Sequence, residues 1–156
     1  MDVGFVDRFD GLYAVGYRAG YAVLGRRADA EDCAQEAMAR ALARWDRVHE
    51  YAPAWVARVA TNLALDRVRR LNRRLDPVVG VVDDPVAIRR HDLVTALRAL
   101  PKRQREAVVL RYLVDLSEAQ TALAMGCATG TVKSAAARGL DHLRRALGPT
   151  WALEER

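Results

Sequence analysis

The segment Ser117–Leu147, SEAQTALAMGCATGTVKSAAARGLDHLRRAL, leaves the backbone few options. Ser117 with Gln120 three residues on can satisfy a helix start from both directions. The hydroxyl takes the third backbone N–H, and the glutamine side chain reaches back to the first. Behind this pair, Ala119, Ala122 and Leu123 make a short apolar face. Gly126 falls where that helix must stop, because a residue without Cβ enters the left-handed conformation of a helix end at least cost. Thr129 is then placed to cap a second helix, along which Val132, Ala136, Leu140, Leu143 and Leu147 recur at helical spacing. The pattern predicts two helices about a tight turn. An ordinary helical hairpin would share it. The polar face of the second helix is more specific. Thr131, Lys133, Ser134 and Arg138 lie on its early turns. These are short or cationic groups of the kind a helix-turn-helix presents to phosphates and base edges.

The remainder also reads as helix. Ala, Arg, Leu and Val dominate and only 6% of residues are aromatic, which favours helix over sheet. Phe5, Phe9, Leu12, Gly16, Ala19 and Val23 form one stripe, predicting a helix from Val3 to Leu24 that stops at Gly25. Asp29 reads as the N-cap of the next helix, with Glu31 and Asp32 in its first turn, where the helix dipole favours acids. Its apolar stripe runs through Ala34, Met38, Ala41, Leu42 and Trp45. The opposite face carries Gln35, Glu36, Arg40 and Arg44. Such a face is either solvated or a docking surface, and periodicity does not choose between them. Asp46–Ala52 reads as a polar loop, and Pro53 suits the start of a third helix. Trp55, Val56, Val59, Ala60 and Leu63 are its buried side.

That helix ends in a dense run of Arg67, Arg69, Arg70, Arg73 and Arg74, with Asp66 beside them. Guanidinium groups this close repel unless an anion neutralises them, so the run predicts a phosphate-binding surface. The net charge of +5 agrees with a polyanionic partner. From Leu75 the pattern breaks at Pro77, Gly80 and Pro85, as expected of a linker. A short buried strand over Val78–Val82 is the rival reading. Helical spacing resumes at Asp92 with Leu93, Ala96, Leu97 and Leu100. Pro101 restarts the chain towards Ala107, Val108, Leu110 and Leu113. The expected fold is all-α. Two small helical domains, 1–74 and 92–148, flank a flexible linker at 75–91, and 149–156 forms a tail.

Several function classes lack support. No apolar run reaches the roughly 20 residues of a membrane span. The start MDVGFVDRFD is not a signal peptide, so a cytoplasmic protein without membrane insertion is expected. Cys33 and Cys127 lack a Cys-x-x-Cys partner and read as small buried hydrophobes. His49, His91 and His142 have no metal-ligand spacing. Phosphate loop and nucleophile elbow are both missing. No enzyme activity, catalytic residue, metal or cofactor is predicted.

The order of these pieces resembles the bacterial RNA polymerase sigma factors of the extracytoplasmic-function (group 4) class, and among them the small actinobacterial SigE-type factors. Asp29–Glu36, DAEDCAQE, is similar to the segment that docks on the polymerase clamp helices. Trp55–Arg70, WVARVATNLALDRVRR, is similar to the segment that captures and melts the promoter −10 element. Leu100–Glu106 with Leu110-Arg111-Tyr112, and Gly130-Thr131-Val132-Lys133-Ser134, resemble the two parts of the module that reads the −35 element. The resemblance implies a subunit that binds core RNA polymerase and promoter DNA and is open to restraint by an anti-sigma factor. It assigns polymerase binding to Glu31, Asp32, Gln35, Glu36 and Arg40. The −10 contacts fall to Trp55, Arg58, Asn62, Asp66, Arg67, Arg69, Arg70 and Arg73, with the Asp46–Ala52 loop beside them. The −35 contacts fall to Thr131, Lys133, Ser134 and Arg138. Polymerase would set the spacing of the two modules. Two departures stand out. Thr121 replaces a usual large aliphatic residue, which implies poorer packing. Ala135 replaces a usual arginine, which implies a lost DNA contact. The alternative is a dimeric helix-turn-helix transcriptional regulator with an N-terminal helical ligand or dimerisation domain.

Overall fold

In the computed structural model, residues 3–74 and 85–149 are described, with the side chains of all of these except residues 3 and 72–74. Every regular element among them is helical. The first half contains α1 (Val3–Leu24), α2 (Arg27–Leu42), α3 (Trp45–Val48), a 3-10 turn (His49–Tyr51) and α4 (Ala52–Arg74). α1 packs on both α2 and α4. Small residues allow the close approach. A Cβ on Gly16 would stand 3.1 Å from Val56 Cγ1, and one on Gly20 would stand 3.4 Å from Ala30 Cα. Ala30, Ala34, Ala37, Ala57, Ala60 and Ala64 are fully buried between these helices. Phe5 and Trp45 close one end of the bundle, edge to face at 5.1 Å.

The second half contains α5 (Pro85–Ala99), α6 (Lys102–Val108), α7 (Glu118–Met125) and α8 (Thr129–Leu147). Leu93, Leu97, Leu100, Val108, Val109, Leu140 and Leu143 make its core. Between α6 and α7 the chain widens into a π-turn, Val109–Leu113. The following turn holds Asp115 at φ 61°, and Arg111 Nη1 donates to the Leu116 carbonyl across it. The predicted capping pair at α7 is present. Gln120 N donates to Ser117 Oγ at 3.0 Å and Ser117 N to Gln120 Oε1 at 2.9 Å. Gly126 ends α7 at φ 63°, and Gly25 follows α1 at the same angle.

Several local expectations need correction. The N-cap of α2 is Arg26, so Asp29 lies inside the first turn, buried. It turns inward because a cation on α4 requires it, as described below. Thr129 is the first residue of α8 and Ala128 the cap, with no side-chain bond. The expected loop Asp46–Ala52 is mostly helical, wound into α3 and the 3-10 turn. α5 begins at Pro85, inside the expected linker, since proline fits the first helical position. Phe9 is 42% exposed rather than core. It turns sideways to stack on Tyr13 at 6.1 Å. The rival strand at Val78–Val82 and the tail from 150 onward lie outside the described residues.

The two halves touch. Leu110, Leu116 and Ala124 from the second half join the buried cluster that holds Ala57 and Ala60. Val94 of α5 joins Val23, Cys33, Ala64 and Leu65. The all-α, two-domain expectation holds, and a shared apolar seam is added to it.

Thr121 is completely buried and its hydroxyl has no hydrogen-bond partner. A buried unsatisfied hydroxyl costs about 1–3 kcal/mol. Thr121→Val should therefore stabilise the fold by about 1 kcal/mol, seen as a raised urea midpoint at unchanged m-value. A lowered midpoint would show that the hydroxyl is used.

Candidate functional site

The start of α8 presents an exposed polar surface. Val132 is fully buried and Ala136 nearly so, which fixes the rotation of the helix. Lys133, Ser134 and Arg138 therefore face solvent, with Thr131 half-buried beside them. Ser134 Oγ donates to the Thr131 carbonyl at 3.1 Å. Lys133 Nζ lies 3.6 Å from Glu118 Oε2, with both side chains well exposed. A pair of that kind contributes little and is easily exchanged for another anion. Ala135 is buried against Ala107 of α6. The departure at this position therefore bears on the α6–α8 seam. Gly139 continues the same seam, where an added Cβ would meet Val108 Cγ2 at 2.6 Å.

The arginine run on α4 divides into two kinds. Arg69 and Arg70 are exposed, as is Asp66. Arg67 is tied down. Its Nη2 lies 2.7 Å from Asp29 Oδ1 and 3.1 Å from Asp32 Oδ2, and Asp29 also meets Arg26 Nε at 3.3 Å. The buried Asp29 is the anion that Arg67 neutralises, so Arg67 holds α4 to α2 and leaves the group of free cations. The Arg73 side chain lies outside the described residues.

Nearer the start of α4, Trp55, Arg58 and Asn62 have a different setting. Trp55 is half-buried against the first core. Arg58 and Asn62, one turn apart, both face the second half. Arg58 Nε and Asn62 Nδ2 each donate to Glu106 Oε1 at 3.2 Å. Arg58 Nη1 also donates to the Ala124 carbonyl at 2.9 Å. Glu106 is 5% exposed. Sequence reasoning missed Glu106 because it reads as an ordinary helix charge and its partners lie more than forty residues away.

On α2, Asp32, Gln35, Glu36 and Arg40 are exposed and Glu31 is half-buried. Glu36 accepts from Arg40 at 2.7 Å and Glu31 from Arg27 at 2.8 Å. Beside them runs a cleft of about 310 Å³ lined by Asp32, Cys33, Glu36, Leu63, Arg67 and Arg70. Burial pushes the Cys33 thiol above its usual pKa, and nearby Arg67 only partly opposes the rise. The thiol therefore stays protonated and unreactive at neutral pH. The opposite end of the bundle is braced by Arg8, whose Nη1 donates to the His49 carbonyl at 2.6 Å while its guanidinium lies over the Trp45 ring. No helix among the described residues is long and apolar enough to cross a membrane.

Residues 11–74 match the family description Sigma-70 region 2, and residues 90–143 match Sigma-70, region 4. The chain is 34% identical over 127 residues to the RNA polymerase sigma-E factor of Streptomyces coelicolor, covering 76% of this chain and 72% of that protein. It is 32% identical over 155 residues to the ECF RNA polymerase sigma factor SigW of Bacillus subtilis, covering 84% and 82%. Among solved structures, the fold is similar to the sigma factor RpoE of Bartonella quintana in complex with the anti-sigma factor NepR. The TM-score is 0.58 at 23% identity, over 92% of this chain and 96% of that one.

The division of the arginines can be measured. Arg67→Ala strands the buried Asp29 and should cost about 1–3 kcal/mol, less than a fully buried pair because Arg67 is partly exposed. Arg69→Ala should change stability by no more than about 0.5 kcal/mol. Equal losses in chemical denaturation would contradict the distinction.

Proposed function

The chain belongs to the sigma-70 family, within the extracytoplasmic-function class of RNA polymerase sigma factors, and on that footing we propose how its residues are shared between polymerase and promoter. It binds core RNA polymerase and directs promoter-specific initiation by recognising −10 and −35 elements. Bond formation belongs to the polymerase, and no residue of this chain is assigned a catalytic role. Its place of work is the cytoplasm. Because both halves match sigma-70 regions in order, the dimeric-regulator alternative is set aside.

The −35 element is read by the start of α8, and the observation that carries this assignment is its rotation. With Val132 and Ala136 packed inward, Lys133, Ser134 and Arg138 are presented together with Thr131. Lys133 and Arg138 suit phosphates or guanine, and Thr131 and Ser134 suit a base edge or phosphate. Glu118 is a weak placeholder on Lys133 that a phosphate would displace.

The −10 element is handled by α4. Arg69 and Arg70, with Arg73, attract the backbone. Trp55, Arg58, Asn62 and Asp66 flank the site of an extruded base, together with the turn from Asp46 to Ala52. Strand separation costs a few kcal/mol per unstacked base, and these contacts must offset it. Arg67 acts indirectly, by holding α4 in place. Core polymerase meets the α2 face of Glu31, Asp32, Gln35, Glu36 and Arg40. The domains are 1–74 and 92–148 with the linker 75–91 between them, α5 reaching back into the linker. An anti-sigma factor holds the protein in reserve, as NepR partners the Bartonella quintana factor in the solved complex.

In vitro transcription with core polymerase on a promoter library tests the whole scheme. Lys133→Ala should cut initiation about tenfold on templates carrying the upstream element, the scale of one lost base or phosphate contact. Templates without that element should be nearly unaffected. Arg69→Ala with Arg70→Ala should weaken promoter opening and flatten its salt dependence by roughly one to two units of slope. Open-complex formation that keeps the wild-type salt slope would remove these arginines from the −10 contact.

A further inference from the structure

We propose that Asp29 and Arg67 are a positioning pair for strand opening: their tie fixes the direction and rotation of the projecting end of α4 against α2. The inference rests on the reading of α4 as the −10 helix and α2 as the polymerase-docking helix. It deepens that reading by naming what aligns one with the other.

The need for a tie follows from where the core of the first half ends. Ala57, Ala60, Ala64 and Leu65 of α4 are buried. Beyond Leu65 the helix runs on to Arg74, and none of its described side chains there is buried. This end carries Asp66, Arg69 and Arg70, which the proposed function gives to DNA. Val68 and Leu71 are only half-buried, so apolar packing by itself holds the end weakly. Charge supplies the rest. Arg67 Nη2 lies 2.7 Å from Asp29 Oδ1 and 3.1 Å from Asp32 Oδ2. Arg26 Nε stands 3.3 Å from the other oxygen of Asp29.

The tie also sets rotation. Each helical residue turns by about 100°, so Arg69 stands about 200° round the axis from Arg67. Pinning Arg67 to α2 therefore turns Arg69 away from α2. Arg70, three residues on from Arg67, comes back to the same side and lines the cleft with Asp32, Glu36 and Leu63. The two carboxylates differ in setting. The Asp29 side chain is 11% exposed and lies inside the bundle. The Asp32 side chain is 59% exposed and belongs to the face proposed for polymerase. One guanidinium thus joins an interior carboxylate to one on the docking surface. Polymerase that grips Asp32 grips the contact that orients α4.

Asp29→Asn keeps the size of the side chain and releases the Arg67 charge. Promoter opening would be followed at saturating core polymerase over several salt concentrations, with wild type and Arg67→Gln beside it. Urea midpoints set a temperature at which all the proteins are fully folded. A positioning pair requires each variant to open promoter DNA about tenfold more slowly, the scale of a misplaced contact surface, with the salt slope unchanged. It also requires the double variant to be no slower than Arg67→Gln alone, because both changes break one tie. If Arg67 itself met phosphate, the sign would reverse. Asp29→Asn would then speed opening and steepen the slope, and Arg67→Gln would flatten it by about one unit. That result overturns the proposal. Opening at the wild-type rate in both variants overturns it too, leaving the tie a role in stability alone. Failure of the wild-type holoenzyme to open DNA would instead strike the −10 reading on which the pair depends.

Discussion

Helix backbones in this protein approach one another through small residues, and most other features follow from that. Gly16 and Gly20 let α1 lie close to α4 and α2, and Gly139 does the same for α8 on α6. The buried surface of α2 and α4 is largely alanine. Such interfaces exclude water and pack tightly, but each buries little apolar area per residue. Orientation therefore depends on a few polar ties placed where two helices cross. Asp29 with Arg67 joins α2 to α4, and Glu106 with Arg58 and Asn62 joins α6 to α4. The second tie spans the two halves and the first lies within one.

The same economy explains how a chain with a net charge of +5 can keep its arginines on task. Where an arginine must hold structure, a buried carboxylate is supplied. Of the cations proposed to meet DNA, Lys133 has an exposed partner, whereas Arg58 is tied to the buried Glu106. Lys133 has the partly exposed Glu118 within reach, and Arg69 and Arg70 are exposed on α4. Electrostatic attraction to DNA is strongest for cations whose present partners are easily replaced, because desolvation and pair breaking both subtract from the gain. Sorting arginines by partner thus divides a uniform run into those tied to a carboxylate and those left exposed.

Much of this was visible in the linear chain, and for a local reason. Helix starts and stops depend on residues three or four apart, so Ser117 with Gln120, Gly126 and Gly25 could be read directly. The outward set at the start of α8 followed from Val132 and Ala136 at helical spacing. Where a local signal competed with a distant one, local reading failed. Asp29 has the composition and position of a cap, but Arg67 on another helix draws it inward. Phe9 fits the α1 stripe, yet stacks on Tyr13 and faces solvent. Ala135, noted in the sequence only as a departure from the family's usual arginine, lies in the α6–α8 seam.

By itself the sequence determined most of the helices, the capping pair and glycine stops, the two-part order and the family, because each is carried by spacing within one turn or by motifs in series. Only the tertiary structure decided which arginines are free. Arg67 and Arg69 are indistinguishable in a basic run until α2 brings Asp29 and Asp32 to one of them. Nor could the chain announce that Glu106 meets Arg58, since a charge pair between distant segments leaves no periodic trace. Coulomb attraction depends on separation in space, and only the packing of the helices sets that distance.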